Sequence, residues 1–479
     1  VILDENDNPI ENVNISTEKS TSFSNANGFY QLKIPANQKV TVIFSHVSMK
    51  NSTLNVMLKP NEDYEFNLVM NNTAEQMGEV TIINNRKRVE GLITIEPEII
   101  RNIPGANAGI ENILKTLPGV YSNNELSTQY NVRGGNYDEN LVYVDEVQIY
   151  RPFLVRSGQQ EGLSFVNSDL ISNVEFSAGG FQAKYGDKTS SVLDITYRTP
   201  KKFGANMDLS FLGGSLSVDG VSKNQKWTGI VGFRYRDNSL LVNSQETESE
   251  YNPKFADVQT KITFTPSTKW HWSFLGNIAQ NKYDYKPLTR QTNFGTLLEP
   301  IALIINYDGQ EKDQYQTYFG AVKSVYKVNE NFTLKFIGSA YQTIEQEYFD
   351  IDAAYSLGDV DSNIGSETFG DVTFSRAIGS QLNHARNNLD ALITNIEVKG
   401  FHDIKKNQIE WGFKYNRENV RDRLVEWEVI DSAGFSLNPP FLPKNDQPYQ
   451  PYTGPLVPYQ GVRATNNVTI AGFSGYGQW

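Results

Sequence analysis

Cysteine is absent from the 479 residues of this chain, and histidine occurs only four times. Without cysteine the chain can form neither a disulfide framework nor a thiolate metal site. Four scattered histidines give little support for a nucleophile–base pair or a histidine metal centre. We therefore predict no catalytic residues, no metal site and no cofactor.

Long apolar runs and an excess of positive charge are missing as well. No stretch of 18 apolar residues occurs, so the sequence encodes no transmembrane helix. That test does not apply to a transmembrane β-barrel, whose lipid-facing surface uses only alternate residues of each strand. The 43 basic and 55 acidic residues give a net charge of -12, which argues against a nucleic acid partner.

Aromatic residues, in contrast, are plentiful, with 25 tyrosines and 26 phenylalanines. This content, spread over a largely polar sequence, favours many amphipathic strands over one large dry core. The length predicts two or more domains. The opening Val1–Asp4 is typical of the second half of a strand, so we expect the sequence to be trimmed at its start.

Residues 1–71 predict a small antiparallel β-sandwich. Turn signals separate β-prone runs at 13–16, 29–34 and 40–44. The pattern of Asp4–Ile10 followed by Asn27–Pro35 resembles the carboxypeptidase regulatory-like domain, which implies a transthyretin-like fold.

Residues 72–90 predict a linker with one β-prone segment, formed by Glu79, Val80, Thr81, Ile82 and Ile83. An isolated strand with polar flanks cannot bury itself. It therefore either belongs to a plain linker or pairs with a strand of another protein by β-augmentation. Under the second interpretation we expect the segment to be only loosely attached in a resting structure.

Residues 91–200 contain the motifs that indicate what the rest of the chain forms. Ile110, Ile113, Leu114 and Leu117 have the spacing of a one-faced helix, which Pro118-Gly119 ends. Glycine turns then separate β-prone runs, as expected of a small α+β unit. The motifs, in order, are Leu117–Val120, Asn131–Gly135, Leu141–Asp145, Asp169–Phe176, Gly179-Gly180 and Tyr185–Ile195. Together they resemble the plug domain of TonB-dependent outer-membrane receptors. The regulatory-like domain in front makes the chain similar to the Bacteroidota branch of that family, which includes the SusC-like nutrient transporters.

We call residues 91–200 the plug unit. Its motif residues are Arg133, Gly134, Gly135, Asp145, Gly179, Gly180, Tyr185 and Gly186. One position departs from the family, because Glu146 follows Asp145 where glycine is usual. A left-handed backbone conformation costs a residue with a side chain about 1 kcal/mol or more. We therefore expect a slightly different turn at this point.

Residues 201–479 predict the N-terminal part of a transmembrane antiparallel β-barrel. Runs of nine or more residues alternate in polarity, which is long enough for a tilted strand to cross a bilayer. The side chains predicted to face lipid include Trp270, Trp272, Phe274, Trp411, Phe413 and Tyr415. A soluble lipocalin-like barrel has the same alternation with its apolar face inward.

The connections favour the membrane arrangement, because short and long ones alternate. The short turns are at 222–226, 266–269, 328–331 and 404–407. The long segments are at 237–256, 284–313, 349–386 and 430–466. We count about nine strands, an odd number that cannot close, whereas the barrels of the family have 22 strands. We therefore expect the chain to be the N-terminal part of a longer protein.

The resemblance implies a receptor in the outer membrane of a Gram-negative bacterium, with the plug unit and the N-terminal domain toward the periplasm. It implies import of a siderophore, glycan, peptide or other nutrient after a TonB-type energy-transducing protein pulls on residues 79–83. The implied partners are outer-membrane lipid, that energy transducer and, as a further option, a SusD-like surface lipoprotein. The alternatives are a receptor-shaped scaffold or assembly subunit that transports nothing, and a soluble β-rich binding protein.

The outer apices of the plug unit, where the resemblance places the ligand, are expected at three turns: Gly135–Glu139, Ile149–Phe153 and Leu163–Asn167. The contact candidates on them are Asn136, Tyr137, Asp138, Tyr150, Arg151 and Phe153. They offer hydrogen bonds, a charge of each sign and stacking faces in a small area. The alternative is that they only fill the lumen against side chains of the barrel wall.

Overall fold

The computed structural model describes residues 1–4, 8–17, 20–46, 49–60, 62–70, 92–95, 109–122, 127–152, 163–244, 249–296, 298–404, 407–431 and 458–479. The chain divides into two compact units, Val1–Val89 and Glu90–Trp479. The predicted segment Glu79–Ile83 and the contact candidate Phe153 lie outside the described residues. In the part of the chain that the structure describes, no helix is long and apolar enough to cross a membrane.

The described residues of the first unit form six short strands. They are β1 Ile2–Leu3, β2 Asn14–Ser16, β3 Thr21–Phe23, β4 Val40–His46, β5 Met49–Val56 and β6 Leu68–Val69. Strands β3, β2, β4 and β5 form an antiparallel sheet in that order, and β1 pairs with β6 in parallel. The run 29–34 was predicted to be a strand and is not one. Its apolar alternation reflects burial alone, because Tyr30 and Leu32 pack against the core from an irregular segment.

The plug unit is a small α+β fold, as the sequence predicts. Its elements are β7 Ile93–Ile95, α1 Ile110–Leu114, β8 Val120–Tyr121, β9 Asn131–Val132, β10 Asn140–Val144, β11 Val147–Ile149, β12 Ile171–Ser177 and β13 Ser191–Tyr197. Two 3-10 turns, Tyr137–Glu139 and Ser168–Leu170, precede β10 and β12. The sheet order is β11-β10-β13-β12-β7, and only β10 and β13 pair in parallel. Helix α1 ends one turn before Leu117, which packs against the core from the turn that follows.

The turn between β10 and β11 differs from the expectation. Asp145 and Glu146 have φ angles of 50° and 73°, so both adopt the left-handed conformation, and Val144 pairs directly with Val147. This is the two-residue hairpin turn that usually takes glycine at its second position. Glutamate therefore occupies the tight turn instead of changing it, and its side-chain contacts supply the physical reason.

The remaining strands form one large antiparallel sheet, which we call the wall sheet. They are β14 Gly204–Ser210, β15 Gly213–Val221, β16 Trp227–Asp237, β17 Ser249–Phe264, β18 Trp270–Pro287, β19 Arg290–Gly295, β20 Pro300–Asn329, β21 Phe332–Val360, β22 Val372–Ile404, β23 Asn407–Asp431 and β24 Pro458–Gln478. A short helix, α2 Ser239–Asn243, lies between β16 and β17. In the described residues the strands from β14 to β24 pair in chain order, except that β19 pairs only with β20. This path has ten strands, where the sequence pattern predicted about nine.

The alternation of polarity along these strands has the predicted sense. Phe413 is 67% exposed on the face away from the plug unit, whereas its neighbour Lys414 contacts the plug unit. Trp270 and Phe274 are likewise exposed, while Ser273 and Leu275 are buried on the inner face. The prediction that aromatic side chains of β18 and β23 face outward is confirmed for these residues.

The long connections are largely strand, which the sequence did not predict. Strands β20, β21 and β22 contain 30, 29 and 33 residues and extend through most of the segments 284–313 and 349–386. Their polar residues still pair along a backbone ladder, with local register shifts after Tyr355 and Asp359. Ladder hydrogen bonds do not require an apolar face, so the apolar pattern ends before the strands do.

The inner face of the wall sheet packs against the plug unit. Ile230, Leu275, Phe319 and Ile337 belong to the same buried cluster as the strands β10 to β13 of the plug unit. Polar contacts extend the interface from Ser215 on β15 to strand β23. The plug unit is therefore held along most of the wall sheet.

Candidate ligand site and the contacts of the plug unit

The strained Asp145-Glu146 turn inserts into a group of lysines on the wall sheet. Lys261 Nζ lies 2.9 Å from Asp145 Oδ1, and Lys323 Nζ donates to the Asp145 carbonyl oxygen at 2.9 Å. Lys335 Nζ donates to both carboxylate oxygens of Glu146, at 2.7 and 2.9 Å. Lys261 and Lys335 are under 10% exposed, so these charges are neutralised mainly by the turn. The ionic contacts hold Glu146 in a conformation that would otherwise favour glycine.

The electrostatic environment of Glu146 keeps its side chain ionised. Burial by itself raises the pKa of this carboxyl, but the charges of Lys335, Lys323 and Lys399 outweigh burial and hold the pKa well below its ordinary value. The Glu146 side chain is about a quarter exposed. Glu146 is therefore a negative charge throughout the physiological pH range.

A buried arginine fixes a second turn of the plug unit. Arg234 on β16 donates to the carbonyl oxygens of Ser164 and Val166 at 2.9 and 2.8 Å. Its guanidinium also forms an ion pair with Asp257 on the neighbouring strand β17, with Nε 2.9 Å from Oδ1. Arg234 and Asp257 are nearly inaccessible to solvent, which makes this pair costly to break from one side. The predicted apex at 163–167 is thus tied to the wall.

The predicted contact residues Tyr150 and Arg151 also touch the wall. Tyr150 donates its hydroxyl to Asn395 Oδ1 at 2.7 Å and accepts from Asn416 Nδ2 at 3.2 Å. Arg151 forms an ion pair with Glu345. Burial lowers the pKa of Arg151 from its ordinary value. Both side chains therefore have structural partners, as the lumen-filling alternative requires, and both also line the cavity described next.

A cavity of about 650 Å³ lies between the plug unit and strands β23 and β24. Four of the six predicted contact residues line this cavity, namely Tyr137, Asp138, Tyr150 and Arg151. Asn136 instead caps the short turn Tyr137–Glu139, because its side-chain oxygen accepts from the Tyr137 amide at 2.9 Å. The cavity also exposes Lys188 and Glu418. It offers charges of both signs to a polar ligand.

The motif glycines are placed inside the plug unit, where they serve its folding. A Cβ at Gly135 would meet Ser190 Oγ at 1.6 Å, so only glycine allows the approach of these segments. Gly179 and Gly180 both have positive φ angles at the turn after β12. Tyr185 donates its hydroxyl to Asp194 Oδ2 at 2.5 Å and thereby fastens the following turn to β13.

Sequence reasoning identified turns of the plug unit but missed their wall partners. The inner-face residues that bind the plug unit include Arg234, Lys261, Lys323, Lys335, Glu345, Asn395, Lys414 and Asn416. Each is a polar residue at the inward position of an alternating strand, which was the available signal. Among the described residues no group of three or more histidine, aspartate or glutamate side chains is placed to hold a metal ion.

Two family models match the chain. Residues 1–82 match the CarboxypepD_reg-like domain, and residues 88–192 match the TonB-dependent receptor plug domain. Both resemblances indicated by the sequence motifs are therefore confirmed. No curated protein matches the chain significantly.

Several solved receptor structures resemble the chain weakly. The siderophore receptor PirA from Pseudomonas aeruginosa is 12% identical, with 72% of this chain and 84% of that chain covered and a TM-score of 0.31. BauA, the ferric preacinetobactin receptor from Acinetobacter baumannii, is 10% identical, with 80% of this chain and 60% of that chain covered and a TM-score of 0.38. The siderophore receptor PirA from Acinetobacter baumannii is 12% identical, with 81% of this chain and 78% of that chain covered and a TM-score of 0.35. Similarity at this level identifies neither a ligand nor a function.

Proposed function

We propose that this chain, which joins a carboxypeptidase regulatory-like domain to a TonB-dependent receptor plug domain, acts as an outer-membrane receptor that imports a ligand by plug displacement. The match of residues 88–192 to the plug domain carries the proposal. Two observations support it: the outward face of the wall sheet carries exposed apolar side chains, and its inward face packs against the plug unit through both apolar and polar side chains. That distribution suits a sheet with lipid outside and a plugged lumen inside.

The contacts of the plug unit explain why its displacement needs external work. Arg234, Lys261 and Lys335 are buried charges whose partners lie wholly or partly on the plug unit. Withdrawing the plug unit would break the ion pairs of Lys261 and Lys335, at about 3–5 kcal/mol for each broken buried pair. It would also remove the carbonyl oxygens of Ser164 and Val166 from Arg234, which keeps its ion pair with Asp257. Spontaneous release is thus rare. A pull on residues 79–83 by an energy-transducing protein of the inner membrane supplies the work.

The ligand in this proposal occupies the cavity of about 650 Å³ beside strands β23 and β24. Asp138, Arg151 and Lys188 give it charged groups of both signs, which suits a polar nutrient such as a siderophore, glycan or peptide. Asn136 and Phe153 remain proposed contacts. A surface lipoprotein of the SusD-like type remains a proposed partner.

The proposal is tested by measuring which components of the growth medium the cells take up, so the ligand need not be known in advance. Cells that produce the full-length protein are compared with cells producing an Ile82→Pro variant, because proline removes the amide that β-augmentation needs. Thr73→Pro, in the same linker, is the matched control. Mass spectrometry of spent medium records which components each strain depletes, and membrane fractionation confirms equal outer-membrane amounts.

We expect at least one component to be depleted by the native protein and by Thr73→Pro, but not by Ile82→Pro. Equal depletion by all three proteins would refute energised displacement through residues 79–83. No depletion by any of them, with the proteins in the outer membrane, would favour the scaffold function. Absence of the native protein from the outer-membrane fraction would refute the localisation itself.

A further inference from the structure

The outward face of the wall sheet changes character along each strand. On β18, outward side chains are apolar from Trp270 to Ile278 and become polar at Gln280 and Lys282. The eight residue steps from 270 to 278 span roughly 20 Å perpendicular to the membrane at a rise of about 3.4 Å and a tilt of about 40°. This is close to the ~25 Å apolar band of an outer-membrane barrel. The polar part begins where lipid headgroups would begin.

On β23, arginines follow this boundary directly. Trp411, Phe413 and Tyr415 occupy successive outward positions, and the next outward charges are Arg417, Arg421 and Arg423, all exposed. Arg463 on β24 has the same orientation, because it is two residues from Thr465, the pairing partner of Arg423. We call Arg417, Arg421, Arg423 and Arg463 the arginine stripe.

The charges of β23 are sorted between its two faces. Inward positions above the plug contacts hold Glu418, Asp422, Glu426 and Glu428, whereas the arginines are all outward. Among the described residues, no acidic side chain forms an ion pair with Arg417, Arg423 or Arg463. Arg421 has only a long contact, with Nη1 3.9 Å from Asp390 Oδ2. The outward positive charge therefore remains largely uncompensated in a chain whose net charge is -12.

A concave site accompanies the stripe. Arg417 and Arg421 line an outward cavity of about 530 Å³ together with Asn419, Asn467 and Thr469. Asp390 and Gln342 also line this cavity, and Gln342 Nε2 donates to Asp390 Oδ1 at 2.9 Å. The Thr469 hydroxyl donates to Asn419 Oδ1. Two guanidinium groups beside side-chain amides outnumber the Asp390 carboxylate and form a site suited to a phosphate, since arginine binds phosphate oxygens in pairs.

We propose that the arginine stripe binds the phosphorylated headgroup of a lipid in the outer leaflet of the membrane. The stripe adjoins the apolar band, so a lipid whose chains cover Phe413 and Tyr415 brings its headgroup to Arg417 and Arg421. This inference rests on the outer-membrane location proposed above, but not on transport. Each arginine near a membrane surface contributes about fivefold in affinity for anionic lipid.

The test uses the full-length protein extracted from outer membranes and freed of lipid. Native mass spectrometry measures the binding of monophosphorylated lipid A, of the same lipid after phosphatase treatment, and of inorganic phosphate. The test variant carries Arg417→Gln, Arg421→Gln and Arg423→Gln. The matched control carries Lys254→Gln, Lys282→Gln and Lys312→Gln, which remove three exposed cations from the corresponding part of β17, β18 and β20.

We expect the native protein to prefer the phosphorylated lipid, and the arginine variant to bind it roughly a hundredfold more weakly. The lysine variant should retain most of the affinity. Equal binding of both lipids, or equal losses in the two variants, would overturn the proposal. Displacement of the lipid by inorganic phosphate alone would indicate a free-anion site and overturn it as well. Lipid binding is measured on purified protein, whereas the outer-membrane location and ligand uptake are measured on cells. A negative result in the lipid test is therefore distinguishable from a negative result for the proposed function.

Discussion

Replacing Glu146 tests whether the strained turn is held by the wall lysines. Glu146→Gln keeps the left-handed conformation but removes the charge, and it leaves Lys335, 8% exposed, without its ionic partner. Breaking a buried pair from one side costs about 3–5 kcal/mol, and the partial exposure of Glu146 reduces this to about 2–3 kcal/mol. Glu146→Gly loses the same pair but relieves about 1–2 kcal/mol of backbone strain. The glycine variant should therefore lose only about 1 kcal/mol.

The measurement is a urea titration of the full-length protein, followed through a fluorophore on the plug unit. The chain has no cysteine, so Ser172→Cys, exposed on β12, provides a labelling site. We expect the midpoint to fall most for Glu146→Gln and less for Glu146→Gly, with recovery when Lys335→Met is added to the glycine variant. A glutamine variant as stable as the native protein, or less affected than the glycine variant, would refute the assignment.

The same carboxylate gives a pH dependence with a defined sign. The folded-state pKa of Glu146 is depressed below its unfolded value of about 4.3. Its contribution to plug docking is therefore complete above about pH 4.3 and is lost as the pH falls through the folded-state pKa. As the solution is acidified below about pH 4.3, the urea midpoint of the native protein should fall relative to the urea midpoint of Glu146→Gln. Parallel pH profiles would contradict this linkage.

Three further changes test the wall sheet and the cavity. Phe413→Arg should destabilise the protein by about 2–4 kcal/mol in lipid vesicles, because it places a charge on the apolar outward band; an unchanged urea midpoint would contradict the orientation. Arg234→Met leaves the buried Asp257 without its cation, with only Gln259 donating to it, and should cost about 3–5 kcal/mol, much of it recovered by adding Asp257→Leu. Tyr150→Phe should weaken ligand binding if its hydroxyl contacts ligand, whereas unchanged affinity in intact cells would leave it a wall contact only.

The sequence predicted the elements whose signals are local. The glycine turns of the plug unit, helix α1 beginning at Ile110 and the outward aromatic residues of β18 and β23 all follow from spacing or alternation. Period-two alternation also implied which residues are inward. It could not show that Lys261, Lys323 and Lys335, far apart in the chain, converge on one hairpin turn.

The wrong expectations share one cause, which is that tertiary contacts overrode a local rule. Glu146 adopts the conformation of glycine because three lysine side chains surround its turn. The long connections proved to be strands because backbone pairing continues where the apolar pattern stops. None of these contacts can be derived from neighbouring residues alone.

Photocrosslinking in living cells tests the central claim most directly. A photoreactive amino acid replaces Ile82 in the full-length protein, and Thr73 in the control. We predict an adduct between position 82 and the energy-transducing protein of the inner membrane, with much less from position 73. If position 82 yields no such adduct while the protein is present in the outer membrane, energised displacement of the plug through residues 79–83 is contradicted.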